Sequence, residues 1–259
     1  MTPAPVHRPA VVLPDRVSTL LLDLDGTLVD TTYLHTVAWF LAFDEVGEGR
    51  PMSLIHPLIG MGGDELVVEV IGRPSERAIA AHDRWFAQYL PAVRALPGAR
   101  ELVAHGTAAG LHLCIVTSSG DDAVDALVAP LGGPDAVDDV VHSGMADRTK
   151  PHPDLFEVAL DRAGVPPTEA LAVGDAVWDV TSASAAGVVC VGLESGGTTR
   201  QSLFEAGAVG VYRDAGEMVR AWKGMPEEDQ RRSAATGLGF GSPSAGRTPR
   251  GRIGRVARP

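Results

Sequence analysis

The sequence predicts an α/β protein in which a doubly wound, three-layer parallel sheet carries an inserted helical cap. Three observations lead to this fold class. The apolar run Thr19 to Leu22 ends at two carboxylates, Asp23 and Asp25. Residues 30–96 then show helical periodicity and no strand pattern. Residues 97–225 alternate helices with short, continuous apolar runs, which is typical of a parallel sheet covered on both faces.

The first apolar run places two acids at one edge of the expected sheet. Because side chains alternate along a strand, Asp23 and Asp25 share a face and can both point into the crevice beyond the strand's carboxyl end, where open α/β sheets bind ligands. An Asp-Gly turn at Gly26 would instead indicate a hairpin. A hairpin needs a second strand directly afterwards, whereas Leu28 to Phe43 has a helical pattern.

Helices fill the predicted cap, residues 30–96. Apolar residues recur with helical spacing in three segments: Thr31 to Val46, Asp64 to Ile71 and Glu76 to Leu90. The second and third segments are separated by Gly72-Arg73-Pro74, and such residues interrupt helices. We therefore expect an all-helical insertion after the first strand.

Short apolar runs supply the other strands of a Rossmann-like core, which comprises residues 17–29 and 97–225. These runs are Leu111 to Val116, Asp139 to Val141, Ala170 to Val173, Val188 to Val191 and Val209 to Val211. Together with the first run they make about six strands, joined through helices by right-handed crossovers.

Composition limits the classes of partner. The 259 residues are 45% hydrophobic and carry a net charge of −11, which is a globular composition with an acidic balance. Nucleic acids are held by Lys and Arg, so we expect no nucleic-acid partner. No apolar stretch approaches the ~20 residues that cross a bilayer, so we expect no membrane partner. Residues 1–16 form a Pro-rich, flexible segment without a secretory pattern, which predicts a cytoplasmic location.

The C-terminal segment, residues 226–259, differs from the rest of the chain. It carries seven arginines against three acids, so the preceding residues carry a charge of −15. Because it is rich in Gly, Ser and Pro and poor in large apolar residues, the segment is predicted to be disordered. Its arginines could bind an acidic partner, and a solvated tail is the alternative.

Four segments together resemble a known family. Asp23 to Thr27 and Thr117 to Gly120 each follow an apolar run, Lys150 precedes a proline, and Gly174-Asp175 is followed by Asp179. Each segment is weak evidence alone. In this order and spacing, however, they resemble the haloacid dehalogenase superfamily of aspartate-nucleophile phosphatases. The resemblance spans the chain except for its two ends.

The resemblance implies a role for each residue at the strand ends. Asp23 would be the nucleophile that forms an aspartyl-phosphate. Asp25 would protonate the leaving alcohol and then deprotonate water. An acid at this position favours phosphoryl transfer over dehalogenation, because a halide needs no proton. Thr117, with the backbone amides of Ser118 and Gly26, would bind the phosphoryl oxygens.

The resemblance also implies a Mg²⁺ cofactor, since the available ligands are hard oxygens. Asp23, the backbone carbonyl of Asp25, and Asp175 would hold the ion. Asp179 would act through a coordinated water or orient Lys150. The Lys150 ammonium would let the two anions, Asp23 and the substrate phosphate, approach each other.

Two alternatives to a phosphatase of a small phosphorylated metabolite stay open. Asp30 to Trp39 resembles both β-phosphoglucomutases and phosphoglycolate or sugar-phosphate phosphatases, and places His35 to touch the substrate or Asp25; a histidine that only packs in the core is the other interpretation. Such mutases hold a second phosphate with an Arg in the cap loop, where this chain has Gly62-Gly63-Asp64. The phosphatase is therefore favoured. A non-catalytic, partner-binding member would show degenerate motifs, and none of the four is degenerate.

Overall fold

A computed structural model describes residues 17–224 of the chain. The N-terminal segment, residues 1–16, and the Arg-rich tail, residues 226–259, lie outside these described residues, so the predictions made for them stay predictions. Within residues 17–224, no helix combines the length and the apolar character needed to cross a membrane.

Six parallel strands form one sheet in the order β3-β2-β1-β4-β5-β6. Their bounds are β1 Thr19–Leu22, β2 His112–Val116, β3 Asp139–Val141, β4 Ala170–Gly174, β5 Val189–Leu193 and β6 Gly210–Tyr212. The fold class is confirmed. β5 runs two residues past the predicted end because Gly192 and Leu193 pair with β6. The strand order reverses beside β1, which is where such sheets form a ligand crevice.

Ten α-helices connect and cover the strands in the described part of the chain. Their bounds are α1 Thr32–Glu45, α2 Met52–Ile55, α3 Gly63–Ile71, α4 Glu76–Ala87, α5 Ala99–Ala108, α6 Asp121–Val128, α7 Asp154–Ala163, α8 Val177–Ala185, α9 Arg200–Ala206 and α10 Ala215–Trp222. Short 3-10 segments occur at His56–Leu58, Leu90–Ala92, Ala129–Leu131, Pro134–Ala136, Ser143–Met145, Pro167–Glu169 and Glu194–Gly196.

The helices within residues 30–96 agree with the predicted segments except in two places. The sequence pattern gave no indication of α2. α4 ends at Ala87, three residues before the predicted end at Leu90, and the chain continues as the 3-10 segment Leu90–Ala92. Pro91 has no amide hydrogen to continue an α-helical ladder, which accounts for the change.

The sheet is buried on both faces, as β1 shows most directly. Leu20 and Leu22 pack in a cluster with residues of α5, α6 and α10, whereas Leu21 packs in a second cluster with residues of α7, α8 and α9. Each of these leucines is fully buried, which stabilises the fold by about 1.5–3 kcal/mol per side chain. The three layers therefore follow from the alternation of side chains along the strand.

The helices α1 to α4 contain a third hydrophobic cluster. It includes Trp39 and Phe43 of α1, Ile55 of α2, Leu66 of α3 and Ala78 of α4. These helices thus have apolar contacts of their own beside those of the sheet. The domain boundaries at residues 30 and 96 stay a prediction.

Candidate active site

Three polar side chains stand at the carboxyl ends of adjacent strands. Asp23 follows β1, Thr117 follows β2 and Asp175 follows β4. The Asp23 amide donates to the Val173 carbonyl over 2.9 Å, so the strand pairing continues up to the site. All three side chains are buried. Because β2, β1 and β4 are neighbours, the three side chains converge on one crevice.

Lys150 is fully buried beneath this crevice. Its Nζ lies 2.6 Å from Asp23 Oδ1, 2.7 Å from Asp179 Oδ1 and 2.8 Å from the Val116 carbonyl oxygen. An ammonium group has three hydrogens, so these three acceptors use all of them. Burial alone would lower the pKa of Lys150, but the two carboxylates outweigh it and raise the pKa, so the side chain is charged.

Asp179 has contacts at both of its carboxylate oxygens. Oδ1 forms the ion pair with Lys150, and Oδ2 accepts the Ala176 amide hydrogen over 3.0 Å at the start of α8. Of the two roles expected for Asp179, the ion pair favours the one in which Asp179 orients Lys150.

A divalent cation fits the carboxylates of the site. Oxygens of Asp23, Asp175 and Asp179 lie within 4.8 Å of one another, and all three residues are buried. Burial and then the neighbouring carboxylates raise the pKa of Asp23 and of Asp175. The Thr27 hydroxyl donates to Asp175 Oδ1 over 2.8 Å. Three acids against one ammonium leave negative charge and hard oxygen ligands, which is the donor set that Mg²⁺ prefers.

Asp25 is surrounded by hydrogen-bond donors. The Thr31 hydroxyl and His35 Nε2 lie 2.6 and 3.1 Å from Oδ1, and the Ser119 and Thr117 hydroxyls lie 2.7 and 3.3 Å from Oδ2. Burial would raise the pKa of Asp25, but the charge of His35 and these hydrogen bonds together lower it. This arrangement therefore favours an ionised carboxylate.

A chain of hydrogen bonds leads from Asp25 to the surface. His35 Nδ1 lies 3.1 Å from His82 Nε2, and His82 Nδ1 lies 3.0 Å from Asp83 Oδ1. Burial lowers the pKa of His82 to about 4, so near neutral pH its single proton lies on Nδ1 and faces Asp83. His82 Nε2 then accepts from the Nδ1–H of His35. A proton placed between His35 Nε2 and Asp25 Oδ1, which lie 3.1 Å apart, would then be shared by the two groups.

A cavity of about 400 Å³ lies over these groups. The predicted site residues that line it are Asp23, Asp25, His35, Thr117 and Ser118. The Ser118 hydroxyl lies 3.4 Å from the carbonyl oxygen of Gly60, in the loop before α3. Trp39, Leu66 and Phe86 line the cavity from α1, α3 and α4. The crevice is thus bounded by strand ends on one side and by helices on the other.

Gly26 turns the chain directly after Asp25. Its amide donates to the Val29 carbonyl over 2.8 Å within the turn, and its contact with a phosphoryl oxygen stays a prediction. Gly26 has a φ of +85°, and a Cβ there would overlap Thr32 Oγ1 and press against Asp175. The glycine permits the sharp turn that keeps the backbone close to Asp175.

Four residues that form contacts at the site were assigned no role from the sequence. Thr27 and Ser119 stand inside the recognised motifs, and Thr31 immediately precedes α1, so their positions offered a signal. His82 lies in no motif. The only indication of its direction was its place among Ala78, Ala81 and Phe86 on the buried face of α4.

The family model of haloacid dehalogenase-like hydrolases matches residues 17–187 of the chain. The protein therefore belongs to the haloacid dehalogenase-like hydrolases. Phosphatases among its relatives and the set of residues at the strand ends make it a phosphoric monoester hydrolase.

Relatives and solved structures agree with this assignment. A phosphoglycolate phosphatase of Rhodospirillum rubrum is 31% identical over 232 residues, which cover 84% of this chain and 95% of that protein. A crystal structure of a hydrolase from Pseudomonas syringae has a TM-score of 0.75 and 32% identity, covering 81% of this chain and 100% of that one. A β-phosphoglucomutase from Clostridium difficile has a TM-score of 0.67 over 83% and 96% of the two chains; its 18% identity shows a shared fold alone.

Proposed function

We propose that the chain is a Mg²⁺-dependent phosphatase that hydrolyses a small phosphate monoester through an aspartyl-phosphate on Asp23. The observation that carries the proposal is the position of Asp23, buried at the end of β1 with Oδ1 2.6 Å from Nζ of Lys150. An anionic nucleophile approaches an anionic phosphate only where positive charge compensates the repulsion.

In the first half of the reaction, an oxygen of Asp23 attacks phosphorus and the bond from phosphorus to the alcohol oxygen breaks. The leaving oxygen takes the proton that Asp25 and His35 share. Thr117 and Ser118 line the cavity beside Asp23 and would donate to the phosphoryl oxygens. The products are the free alcohol and the phosphorylated Asp23.

In the second half, water attacks the phosphorus of the aspartyl-phosphate and gives a proton back to Asp25 and His35. The bond between phosphorus and the Asp23 oxygen breaks, which releases inorganic phosphate. The shared proton returns to its original place, so the pair acts first as an acid and then as a base.

Asp23, Asp175 and the backbone carbonyl of Asp25 would hold the Mg²⁺ ion, which when bound neutralises charge on the phosphoryl group. Thr27 fixes the orientation of Asp175 through its 2.8 Å hydrogen bond. Asp179 holds the Lys150 ammonium against Asp23 rather than acting through a coordinated water.

A sugar phosphomutase is the competing function, and it is supported by the fold shared with β-phosphoglucomutase. A mutase must hold a second phosphate group. Among the described residues that line the cavity, none is Lys or Arg, and Asp64 stands at the start of α3. This favours hydrolysis over transfer between two positions of a sugar. A purely partner-binding role is disfavoured because Asp23, Lys150 and Asp179 contact one another at the strand ends.

The nucleophile is tested with p-nitrophenyl phosphate. Asp23→Asn should lower kcat by at least about 1000-fold, since a covalent route is lost. Acid-quenched wild-type protein should carry a phosphoryl group on the peptide that contains Asp23. Asp161→Asn, an exposed change on α7, is the matched control and should keep wild-type activity. Activity of the Asp23→Asn variant above about one percent would contradict the nucleophile.

The metal is tested by stability as well as by activity. Mg²⁺ should raise the melting temperature of the wild type, because a ligand that binds only the folded state stabilises it. This increment should shrink or vanish in Asp175→Asn and persist in Asp161→Asn. EDTA should abolish phosphate release. Full activity in EDTA, or an equal Mg²⁺ increment in all three proteins, would rule out the proposed ion.

A further inference from the structure

The cavity over the reacting groups is larger than a phosphoryl group alone needs. Its volume of about 400 Å³ lies in the range of clefts that enclose small molecules. The alcohol part of the substrate must occupy the remaining space. The walls of that space therefore select the alcohol.

Negative charge dominates the outer part of the cavity. Four exposed carboxylates line it in addition to Asp23 and Asp25, and we call them the acidic rim: Asp64, Asp83, Asp121 and Asp122. No Lys or Arg side chain lines the cavity among residues 17–224. The hydrogens of buried Lys150 are already used by Asp23, Asp179 and the Val116 carbonyl. A second anionic group on the substrate would thus meet no Lys or Arg side chain in the described wall.

The helix ends beside the cavity strengthen this conclusion. α3 and α6 both begin at the cavity, where Gly63, Asp64, Gly120 and Asp121 line it. The N-terminus of a helix ordinarily attracts an anion. Here the first turn of each helix carries its own carboxylates. These carboxylates would repel a substrate carboxylate or second phosphate that approached either helix end.

The inner part of the cavity beyond the strand ends is apolar. Its apolar lining side chains include Trp39, Ile59, Met61, Leu66, Ile79, Phe86 and Leu90. The Trp39 ring stacks on His82 with centroids 4.1 Å apart, and Phe86 stacks on His35 at 3.8 Å. Such a wall packs against the carbon skeleton of a ring or chain without requiring polar partners.

We infer that the substrate is a phosphate monoester of an amino alcohol, with one phosphate on Asp23, a carbon skeleton against the apolar wall and a cationic amine at the acidic rim. This inference rests on the proposed phosphatase function. It excludes substrates whose alcohol carries a carboxylate or a second phosphate. The acidic rim selects the charge of the alcohol, and the apolar wall limits its size.

Two matched sets of esters test the inference with the full chain and Mg²⁺. Phosphoethanolamine and phosphoglycolate have the same length and opposite terminal charges. Glucosamine 6-phosphate, glucose 6-phosphate and 6-phosphogluconate extend the comparison to six carbons. We expect kcat/KM to fall from amine to neutral to carboxylate ester, by at least about tenfold between the extremes at low ionic strength. The ratio should narrow as salt is added, because exposed charges are screened.

Variants of the rim link the preference to particular residues. Asp64→Asn and Asp122→Asn should each lower the ratio of kcat/KM for the amine and carboxylate esters, and the double variant should lower it further. Asp122→Lys should raise turnover of the carboxylate ester relative to the wild type. Asp161→Asn, which lies on α7 away from the cavity lining, should leave the ratio and the turnover of p-nitrophenyl phosphate unchanged.

p-Nitrophenyl phosphate distinguishes a failure of the substrate inference from a failure of the proposed phosphatase function. If it is hydrolysed while the carboxylate esters equal or exceed the amine esters, the substrate inference is overturned and the phosphatase stands. If it is not hydrolysed, the proposed function fails and the inference fails with it. If only p-nitrophenyl phosphate is turned over, inhibition constants of the five esters decide: the amine esters must inhibit most tightly, and any other order overturns the inference.

Discussion

The two sides of the cavity differ in how their side chains are held. On the strand side, the buried side chains are held by specific contacts: Lys150 pairs with Asp23 and Asp179, and the Thr27 hydroxyl donates to Asp175. On the helical side, apolar rings from α1 and α4 adjoin carboxylates that are open to solvent. The strand side is suited to one chemical reaction, whereas the helical side is suited to choosing which molecule undergoes it.

The physical consequence is a difference in sensitivity. Removing one partner of a buried charge pair leaves the other charge without compensation, which costs several kcal/mol. An exposed charge is screened by water and salt, so its removal changes stability by a few tenths of a kcal/mol. We therefore expect variants on the strand side to lose all activity and some stability. Variants on the helical side should alter the choice between substrates.

Lys150→Met should give the largest effect. The change leaves Asp23 and Asp179 without their ammonium partner in a buried site, and it removes the donor to the Val116 carbonyl. We expect the free energy of unfolding to fall by about 3–5 kcal/mol. We also expect kcat to fall at least about 1000-fold on every ester. Urea denaturation and phosphate release measure the two effects.

The chain offers a matched control, because its second lysine, Lys223, is exposed near the end of α10. Lys223→Met should change the free energy of unfolding by no more than about 0.5 kcal/mol and leave kcat unaltered. Similar losses of stability in the two variants would show that the Lys150 ion pairs do not stabilise the site as described.

The strand side could be predicted from the sequence because its geometry follows from strand ends. Once the apolar runs are assigned to a parallel sheet, the residues directly after β1, β2 and β4 must meet at one edge. Asp23, Thr117 and Asp175 occupy these positions, so their convergence could be predicted without knowing how the helices pack. The order and spacing of the motifs then supplied Lys150, whose long side chain reaches the crevice from a loop.

The helical side could not be predicted in the same way. The direction in which His82 points depends on how α4 packs against α1, and that packing is a tertiary property. Some backbone hydrogen bonds on the strand side could not be predicted either. A tight turn directs the Gly26 amide to the Val29 carbonyl, which the pattern of residues does not reveal. The sequence placed His35 near the substrate or Asp25, whereas the Thr31 and Ser119 hydroxyls that also contact Asp25 are brought there only by the fold.

His82→Phe should give an intermediate effect that depends on the leaving group. Phe keeps an aromatic ring between Trp39 and Phe86 but removes the acceptor for the His35 Nδ1–H. Asp25 and His35 then no longer have a fixed proton between them. We expect kcat for an alkyl phosphate to fall about 10- to 100-fold, because an alkoxide needs a proton to leave. p-Nitrophenolate leaves without one, so its release should fall much less.

The conservative change His82→Gln separates this role from packing. The Gln amide oxygen can accept from His35, so this variant should recover part of the loss on the alkyl phosphate. An equal loss on both substrates in His82→Phe, or no recovery in His82→Gln, would mean that His82 only fills space between the helices.

Gly62→Ala, compared with Gly63→Ala, should give the smallest effect and tests the junction between the two sides of the cavity. The Gly62 amide donates to the Lys150 carbonyl over 3.0 Å, and a Cβ on Gly62 would overlap the Thr149 hydroxyl. A Cβ on Gly63 would lie 3.4 Å from the Trp39 ring, which is an ordinary contact. Gly62→Ala must therefore push the start of α3 away from residues 149 and 150, whereas Gly63→Ala leaves it in place.

The displaced helix carries Leu66 and Asp64, which line the cavity, so the Gly62 variant should bind the alcohol less well while the strand side stays intact. We expect kcat/KM for the best amine ester to fall about tenfold, with a smaller loss on p-nitrophenyl phosphate, which makes fewer contacts with the helices. Gly63→Ala should stay close to the wild type on both. If Gly62→Ala lowers kcat/KM equally for both substrates, the contact between Gly62 and residues 149 and 150 also holds Lys150 in position. The helical side would then contribute to the reaction itself as well as to the choice of substrate.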